Sequence, residues 1–231
     1  MRSWNVFHGN ADPARRKGYL REMVELASGD QPDVLCLQEL PVWALPRLAA
    51  WTGMQSESVV ARPPLWPGDL SAWVTRLNQG FFRSAIAGQA NAVLVRRVHT
   101  IEDLGKETIS GRGRERRVAQ AVRVDGRIVV ANFHASNDFR RADVPRAEVE
   151  RARRFAERQA RPGEPVVLAG DFNVARIDLD GYSPPGEGID HVLVRGTPAT
   201  PLRVWPLERR RVHGVVLSDH APVELWLAEL P

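Results

Sequence analysis

The chain has 231 residues, 43% of them hydrophobic, which is enough to fill the core of one domain spanning 1–231. Its 32 basic and 28 acidic residues leave a formal net charge of +4, a balance that admits a polyanionic substrate without requiring one. The single cysteine excludes a disulfide framework, no apolar window is long enough to span a bilayer, and no leader pattern opens the chain. A cytoplasmic protein is therefore expected.

Trp4-Asn5-Val6-Phe7-His8-Gly9 reads as a short strand ending at a glycine. Asp12-Pro13 offers an N-cap and a first-turn proline, and Tyr19, Leu20, Met23, Val24 and Ala27 recur at helical spacing, so a helix is predicted from about Asp12 to Ser28. Val34 to Gln38 is apolar enough to be a strand covered on both faces, with Cys36 as a buried, inert thiol and Glu39 delivered to its end. Pro41 to Trp51 reads as a helix and Met54 to Ala61 as a strand. From Arg62 to Gln89, Pro63, Pro64, Pro67, Gly68 and Gly80 break any periodicity and predict a long loop. Its Trp66, Trp73, Phe81 and Phe82 either anchor it to the core or, with Arg76 and Arg83, cradle a ligand.

Asn91 to Val95 is a clear strand, and Val118 to Val124 alternates as a half-exposed strand does. Asp125-Gly126 then signals a hairpin whose second arm carries His134 at its end. The preceding Arg112-Gly113-Arg114-Glu115-Arg116-Arg117 is either a solvated loop or a phosphate-contacting edge. Asp143 to Ala160 has a helical apolar stripe closed by Pro162-Gly163. Val166 to Ala169 is a buried strand, Gly170 permits a sharp exit, and Asp171 and Asn173 follow at its tip. Strands are also predicted at Ile189 to Val194, with Asp190 near its start, at Leu202 to Trp205, and at Val223 to Leu227 after Ser218-Asp219-His220.

Asn5, Glu39, His134, Asp171, Asn173, Asp190, Asp219 and His220 thus all fall at strand ends. Each alone has a plain explanation as a cap, a turn or a satisfied core histidine. In layered α/β architectures, however, strand ends converge on one rim, where sites are built. A carboxylate and a carboxamide one residue apart, as at Asp171 and Asn173, suit a base or metal ligand beside a neutral orienting group. No Gly-x-Ser-x-Gly elbow supplies a serine nucleophile.

In order, Trp4-Asn5-Val6, Leu37-Gln38-Glu39, Asn91-Ala92-Val93-Leu94, Asn132-Phe133-His134, Gly170-Asp171-Phe172-Asn173, Ile189-Asp190-His191 and Ser218-Asp219-His220 resemble the motifs of the endonuclease/exonuclease/phosphatase superfamily, whose fold is like that of pancreatic deoxyribonuclease. The resemblance implies an α/β (α+β) fold, a four-layer sandwich of two packed, mostly antiparallel β-sheets flanked by helices. It also implies a Mg²⁺ site, with Mn²⁺ as a substitute, at Glu39 with Asn5 and Asp219 nearby. Carried over in the same way, Asp171 orients or deprotonates water and Asn173 positions it, His134 and His220 donate to phosphoryl oxygens, and Asp190 pairs with His220. Asn91, Arg83 and Arg114 are the expected substrate contacts.

The reaction so implied is phosphodiester hydrolysis by in-line attack of water, with a nucleic acid as the favoured substrate and a monomer needing no protein partner. A phosphatase acting on a phosphorylated lipid, sugar or nucleotide, or a sphingomyelinase-like phosphodiesterase, keeps the same core with different loops. The short stretch between Asp171 and Asp190, and the lack of a tyrosine outside Tyr19 and Tyr182, argue against an abasic-site repair enzyme.

Overall fold

The structure, a computed structural model, describes residues 1–13, 17–66, 68–76, 86–138 and 140–228, with the backbone alone at 69 and 74–76. In chain order the elements are β1 (Arg2–Asn5), β2 (Ala11–Asp12), α1 (Leu20–Ser28), β3 (Val34–Leu40), α2 (Leu48–Thr52), β4 (Gln55–Arg62), α3 (Gly68–Arg76) and β5 (Gln89–Val95). There follow β6 (Ile101–Thr108), β7 (Val118–Val124), β8 (Ile128–His134), α4 (Asp143–Gln159), β9 (Val166–Asp171) and β10 (Asp190–Arg195). Four short strands close the chain: β11 (Arg203–Val204), β12 (Arg211–Val212), β13 (Val215–Leu217) and β14 (Val223–Glu224).

Two sheets carry the fold. The first runs β11-β14-β1-β3-β5-β4 and is parallel only at β1 and β3; the second runs β10-β9-β8-β7-β6 and is parallel only at β8 and β9. Alternation along the strands decides what each face meets. Val34, Cys36 and Val93 of the first sheet pack against Val122, Val130 and Val167 of the second, filling the space between them. The opposite faces are equally apolar: Leu35, Leu37 and Leu94 lie under Met23, Val24 and Leu48, while Val129, Phe133 and Leu168 lie under Val149 and Phe155. Strands buried on both sides thus force the four layers helix, sheet, sheet, helix, each fully buried large side chain contributing roughly 1.5–3 kcal/mol. Cys36 is buried among them, and burial pushes its thiol up to about 12.

Several predicted elements are corrected. The first helix begins at Leu20, with Tyr19 as its N-cap, because Asp12 is held in a strand ladder opposite Val216 and so does not cap a helix. The stretch predicted as a helix from Pro41 is a 3₁₀ turn, Val42–Arg47, before α2, since Pro46 has no N–H for the α-helical ladder. The predicted loop from Arg62 to Gln89 contains α3; its Pro67, Gly80, Phe81, Phe82 and Arg83 lie outside the described residues, as does the Arg76 side chain. β6 went unpredicted because it is an edge strand whose Glu102, Asp103, Lys106 and Glu107 obscure the period. β7 is buried throughout, not half exposed: its Arg123 is sheltered by Glu102 at 2.8 Å and Glu164 at 2.7 Å. Among the described residues no helix is long and apolar enough to cross a membrane.

Candidate active site

Three strands of the second sheet end level with one another. Asp171 of β9 is in register with Asp190 of β10 on one side and His134 of β8 on the other, so the three stand in a row across the sheet. Gly170 makes that close approach feasible: its φ is +145°, and a Cβ there would lie 1.9 Å from the Phe133 carbonyl oxygen. On the facing sheet, Asn5 pairs with Gln38 at the end of β3, and a register shift between Leu37 and Leu40 coincides with a positive φ of 54° at Glu39. Asn5 joins the sheets, its Nδ2 donating to Glu39 Oε1 at 3.2 Å and Asp171 Oδ2 at 3.0 Å.

The Ser218-Asp219-His220 turn is clamped from three directions. Ser218 Oγ donates to the Asn5 carbonyl at 2.8 Å, Trp4 Nε1 to that of His220 at 2.9 Å, and Arg210 Nη1 to that of Ser218 at 2.7 Å. Phe7, His8, Glu39, Asn173 and Ser218 all have left-handed backbones, with φ of 44°, 51°, 54°, 50° and 60°. Such strain is held only where surrounding contacts over-determine it, and here it gathers around one group of side chains.

His220 Nδ1 lies 2.7 Å from Asp190 Oδ2, and its Nε2 lies 3.7 Å from Asp171 Oδ2 and 4.0 Å from Asp219 Oδ1. Burial disfavours its charge, yet the Asp190 hydrogen bond and the charges of Asp190, Asp171 and Asp219 raise its pKa well above that of a free imidazole. His134 is the reverse. Its Nδ1 lies 3.0 Å from Gln89 Nε2 and 3.1 Å from Arg117 Nη1, and burial together with the Arg117 charge drives its pKa well down. A guanidinium only donates, so Nδ1 is the acceptor and the proton sits on Nε2, 3.4 Å from Asp171 Oδ2. Asp171 also accepts the Asn173 backbone N–H on Oδ1 at 2.9 Å. Burial and the Asp190 charge push the Asp171 carboxyl upward, toward the range of a useful base, while His220 and the Asn5 hydrogen bond pull it back.

Glu39 completes the group, with His8 Nε2 at 3.4 Å from Oε2 and His134 Nδ1 at 3.7 Å from Oε1. Burial raises its pKa against the Asn5 hydrogen bond. Glu39 is thus a largely buried carboxylate whose near neighbours are the Asn5 amide and the His8 and His134 imidazoles, and burial also raises the pKa of a second acid, Asp219. Among the described residues, Asp171, Asp190 and His220 form a cluster of ligating atoms, all within 4.8 Å of one another. Within it, Asp190 and His220 already satisfy each other. Asn5 accepts the Phe7 N–H on Oδ1 at 2.9 Å and so turns its NH₂ toward the acids, acting as a bridge between carboxylates.

The other sequence-derived residues fall as follows. Asn173 sits beside Asp171, with its side-chain Nδ2 donating to the Ala135 carbonyl at 3.0 Å. Asn91 is buried, its Nδ2 donating to the Val118 carbonyl at 3.2 Å and its Oδ1 buried without a hydrogen-bond partner. Arg114 is partly exposed and paired with Asp138 at 3.1 Å, and Arg83 lies outside the described residues. His191 is buried, its Nε2 2.8 Å from the Val174 carbonyl and outside the cluster. Sequence reasoning missed His8, Gln89 and Arg117. Gln89 opens β5, and only Arg117's position next to a strand start distinguished it from its solvated neighbours.

The fold and this rim define a two-sheet α/β sandwich with carboxylates and imidazoles gathered at one edge. The chain belongs to the Endonuclease/Exonuclease/phosphatase family, whose model matches residues 3–220, and the members of that family hydrolyse phosphoesters. No curated protein matches the sequence. Among solved structures, it is similar to a functionally unknown conserved protein from Enterococcus faecalis V583 (15% identity, 99% of each chain, TM-score 0.69). It is also similar to a humanized D. rerio TDP2 (15% identity, 99% of this chain and 97% of that one, TM-score 0.68). A third is the mannosyl-6-phosphatase Bt3783 of Bacteroides thetaiotaomicron (16% identity, 99% of this chain and all of that one, TM-score 0.65). At such identities the likeness speaks for the fold.

Proposed function

We propose that the chain is a divalent-metal-dependent phosphodiesterase acting on nucleic acid. The observation that carries this is the row Asp190, Asp171 and His134 on one sheet, facing Glu39 and Asn5 on the other, with His220 closing the gap. Asp171, pinned by Asn5 and the Asn173 N–H and pushed upward by burial, receives the proton of an attacking water. His220, kept protonated by Asp190, and His134, through its Nε2–H, donate to phosphoryl oxygens as charge builds on them. A divalent ion at Glu39, with Asp219 nearby, would supply charge neutralisation for the phosphate. The net charge of +4 and the exposed Arg112 and Arg116 beside β7 favour a polyanion.

A phosphatase acting on small phosphomonoesters is the second reading, favoured by the full-length structural match to a mannosyl-6-phosphatase. Hydrolysis of single- and double-stranded DNA, RNA and mannose 6-phosphate, each measured with Mg²⁺, Mn²⁺ and EDTA, separates the two. Metal-dependent cleavage of oligonucleotides is expected, abolished by EDTA. Turnover of the sugar phosphate alone would overturn the nuclease reading, and turnover that persists in EDTA would overturn the metal requirement.

A further inference from the structure

A cleft of about 590 Å³ opens between α1, the Val42–Arg47 turn with α2, and α3. His8 belongs to both places: it lines the cleft, and its Nε2 lies 3.4 Å from Glu39 Oε2. Through His8, itself buried, the cleft backs onto the Glu39 carboxylate. Trp43 and Trp51 meet edge to face on its wall, with ring centroids 6.2 Å apart, and Trp73, 56% exposed, stands at its mouth. Arg21 and Arg47 also line it, the Arg47 guanidinium 5.3 Å from the Trp43 ring centroid.

The lining thus joins three indoles to two guanidiniums, an imidazole and one carboxylate, Glu22. An alkyl chain lodged there would strip water from the cationic groups and give nothing back. A sugar can lay a C–H face on an indole and accept from the guanidiniums, but it does not stack on a guanidinium plane as well. A nucleobase matches both, stacking on indole and guanidinium planes while its ring nitrogens and carbonyls accept from arginine. The volume lies within the range of small-ligand sites. We infer that this cleft holds a nucleobase of the ester whose phosphate lies at Glu39 and Asp171, making the base next to the scissile bond a determinant of binding. The inference rests on the phosphodiesterase reading for the position of the phosphate, and on the cleft alone for the base.

The test is calorimetric titration of the protein, with Mg²⁺ present, using AMP, ribose 5-phosphate and dodecyl phosphate, repeated on Trp73→Ala and Arg47→Ala. All three probes share the phosphate, so their ratios report the cleft. AMP is expected to bind about 5- to 100-fold tighter than ribose 5-phosphate, the range of one stacked base, and either substitution should cut that ratio several-fold. Trp73 is half exposed, so its replacement leaves the core packing in place. Equal affinity for AMP and ribose 5-phosphate, or a ratio unmoved in both variants, would overturn the proposal. Dodecyl phosphate binding as well as AMP would overturn it too, in favour of an apolar-tail site. A parallel oligonucleotide assay keeps the readings apart: absent turnover counts against the phosphodiesterase, while the AMP ratio still decides the cleft.

Discussion

The two flanks of Asp171 carry the same side chain in opposite states. On the β10 side His220 is held by the Asp190 carboxylate at 2.7 Å, which favours its charged form; on the β8 side His134 is held by the donors Arg117 and Gln89, which favour its neutral form. Both direct Nε2 at Asp171 Oδ2, at 3.7 Å and 3.4 Å. The residue type alone therefore does not set the role. The charge of the group behind each ring does, so the rim offers one charged donor and one neutral donor to whatever oxygen lies between them.

The largest break in this comparison is expected from Asp190→Asn, which keeps the shape but removes the charge that holds His220 protonated. A fall in kcat of about 10³-fold should follow, with folding retained by circular dichroism. A fall of less than tenfold would show that the His220 charge is unimportant. On the other flank, Arg117→Gln removes a charged donor to His134 and should cost roughly 1.5–3 kcal/mol of transition-state stabilisation, about 10- to 150-fold in rate. Nitrogen-15 NMR should show the wild-type His134 proton on Nε2. A proton on Nδ1 instead would overturn the assigned state, since Arg117 cannot accept it.

A third imidazole sharpens the contrast. His99 sits between Asp125 at 2.6 Å and Asp33 at 3.0 Å, far in the fold from the rim and beside the β7–β8 turn. Like His220 it has a raised pKa, its two acid hydrogen bonds outweighing the cost of burial. A raised pKa stabilises the folded state fully below the unfolded value of 6.5, and the contribution fades as pH rises through the higher folded value. His99→Gln should therefore destabilise by under ~1 kcal/mol below about pH 6, less at higher pH, and leave kcat unchanged. A loss that grows with pH would reverse the sign, and a loss of turnover would make acid pairing, not location, the feature that matters.

Much of this rim was legible because buried strands announce their own ends. Val34 to Gln38 and Val166 to Ala169 are uniform apolar runs, so Glu39 and Asp171 stand out where each run stops, and the pairing of Asp190 with His220 followed from their motifs. What stayed hidden depends on contacts between distant segments. Arg117 looks like its neighbours Arg114 and Arg116 until the β8 strand brings His134 against it. His8 reads as the tail of a strand, since its left-handed turn is imposed by the pairing of β1 with β3 and by the start of α1. Asn91 lies near the start of β5, and its side-chain amide donates to the Val118 carbonyl, a contact the sequence does not announce. Strand ends locate a rim; register and facing decide which side chains enter the site.

The central claim is that residues from β3 and from the turn before β14 act on one reacting group. It is tested most directly by the hydrolysis rates of Glu39→Ala, His220→Ala and the double variant on a bis-(p-nitrophenyl) phosphate with Mg²⁺. Each single change is expected to lower kcat by roughly 10²- to 10⁴-fold, and the double should be hardly slower than the worse single, as for groups that work as a unit. Losses that multiply, or single variants as fast as the wild type, would contradict a shared site.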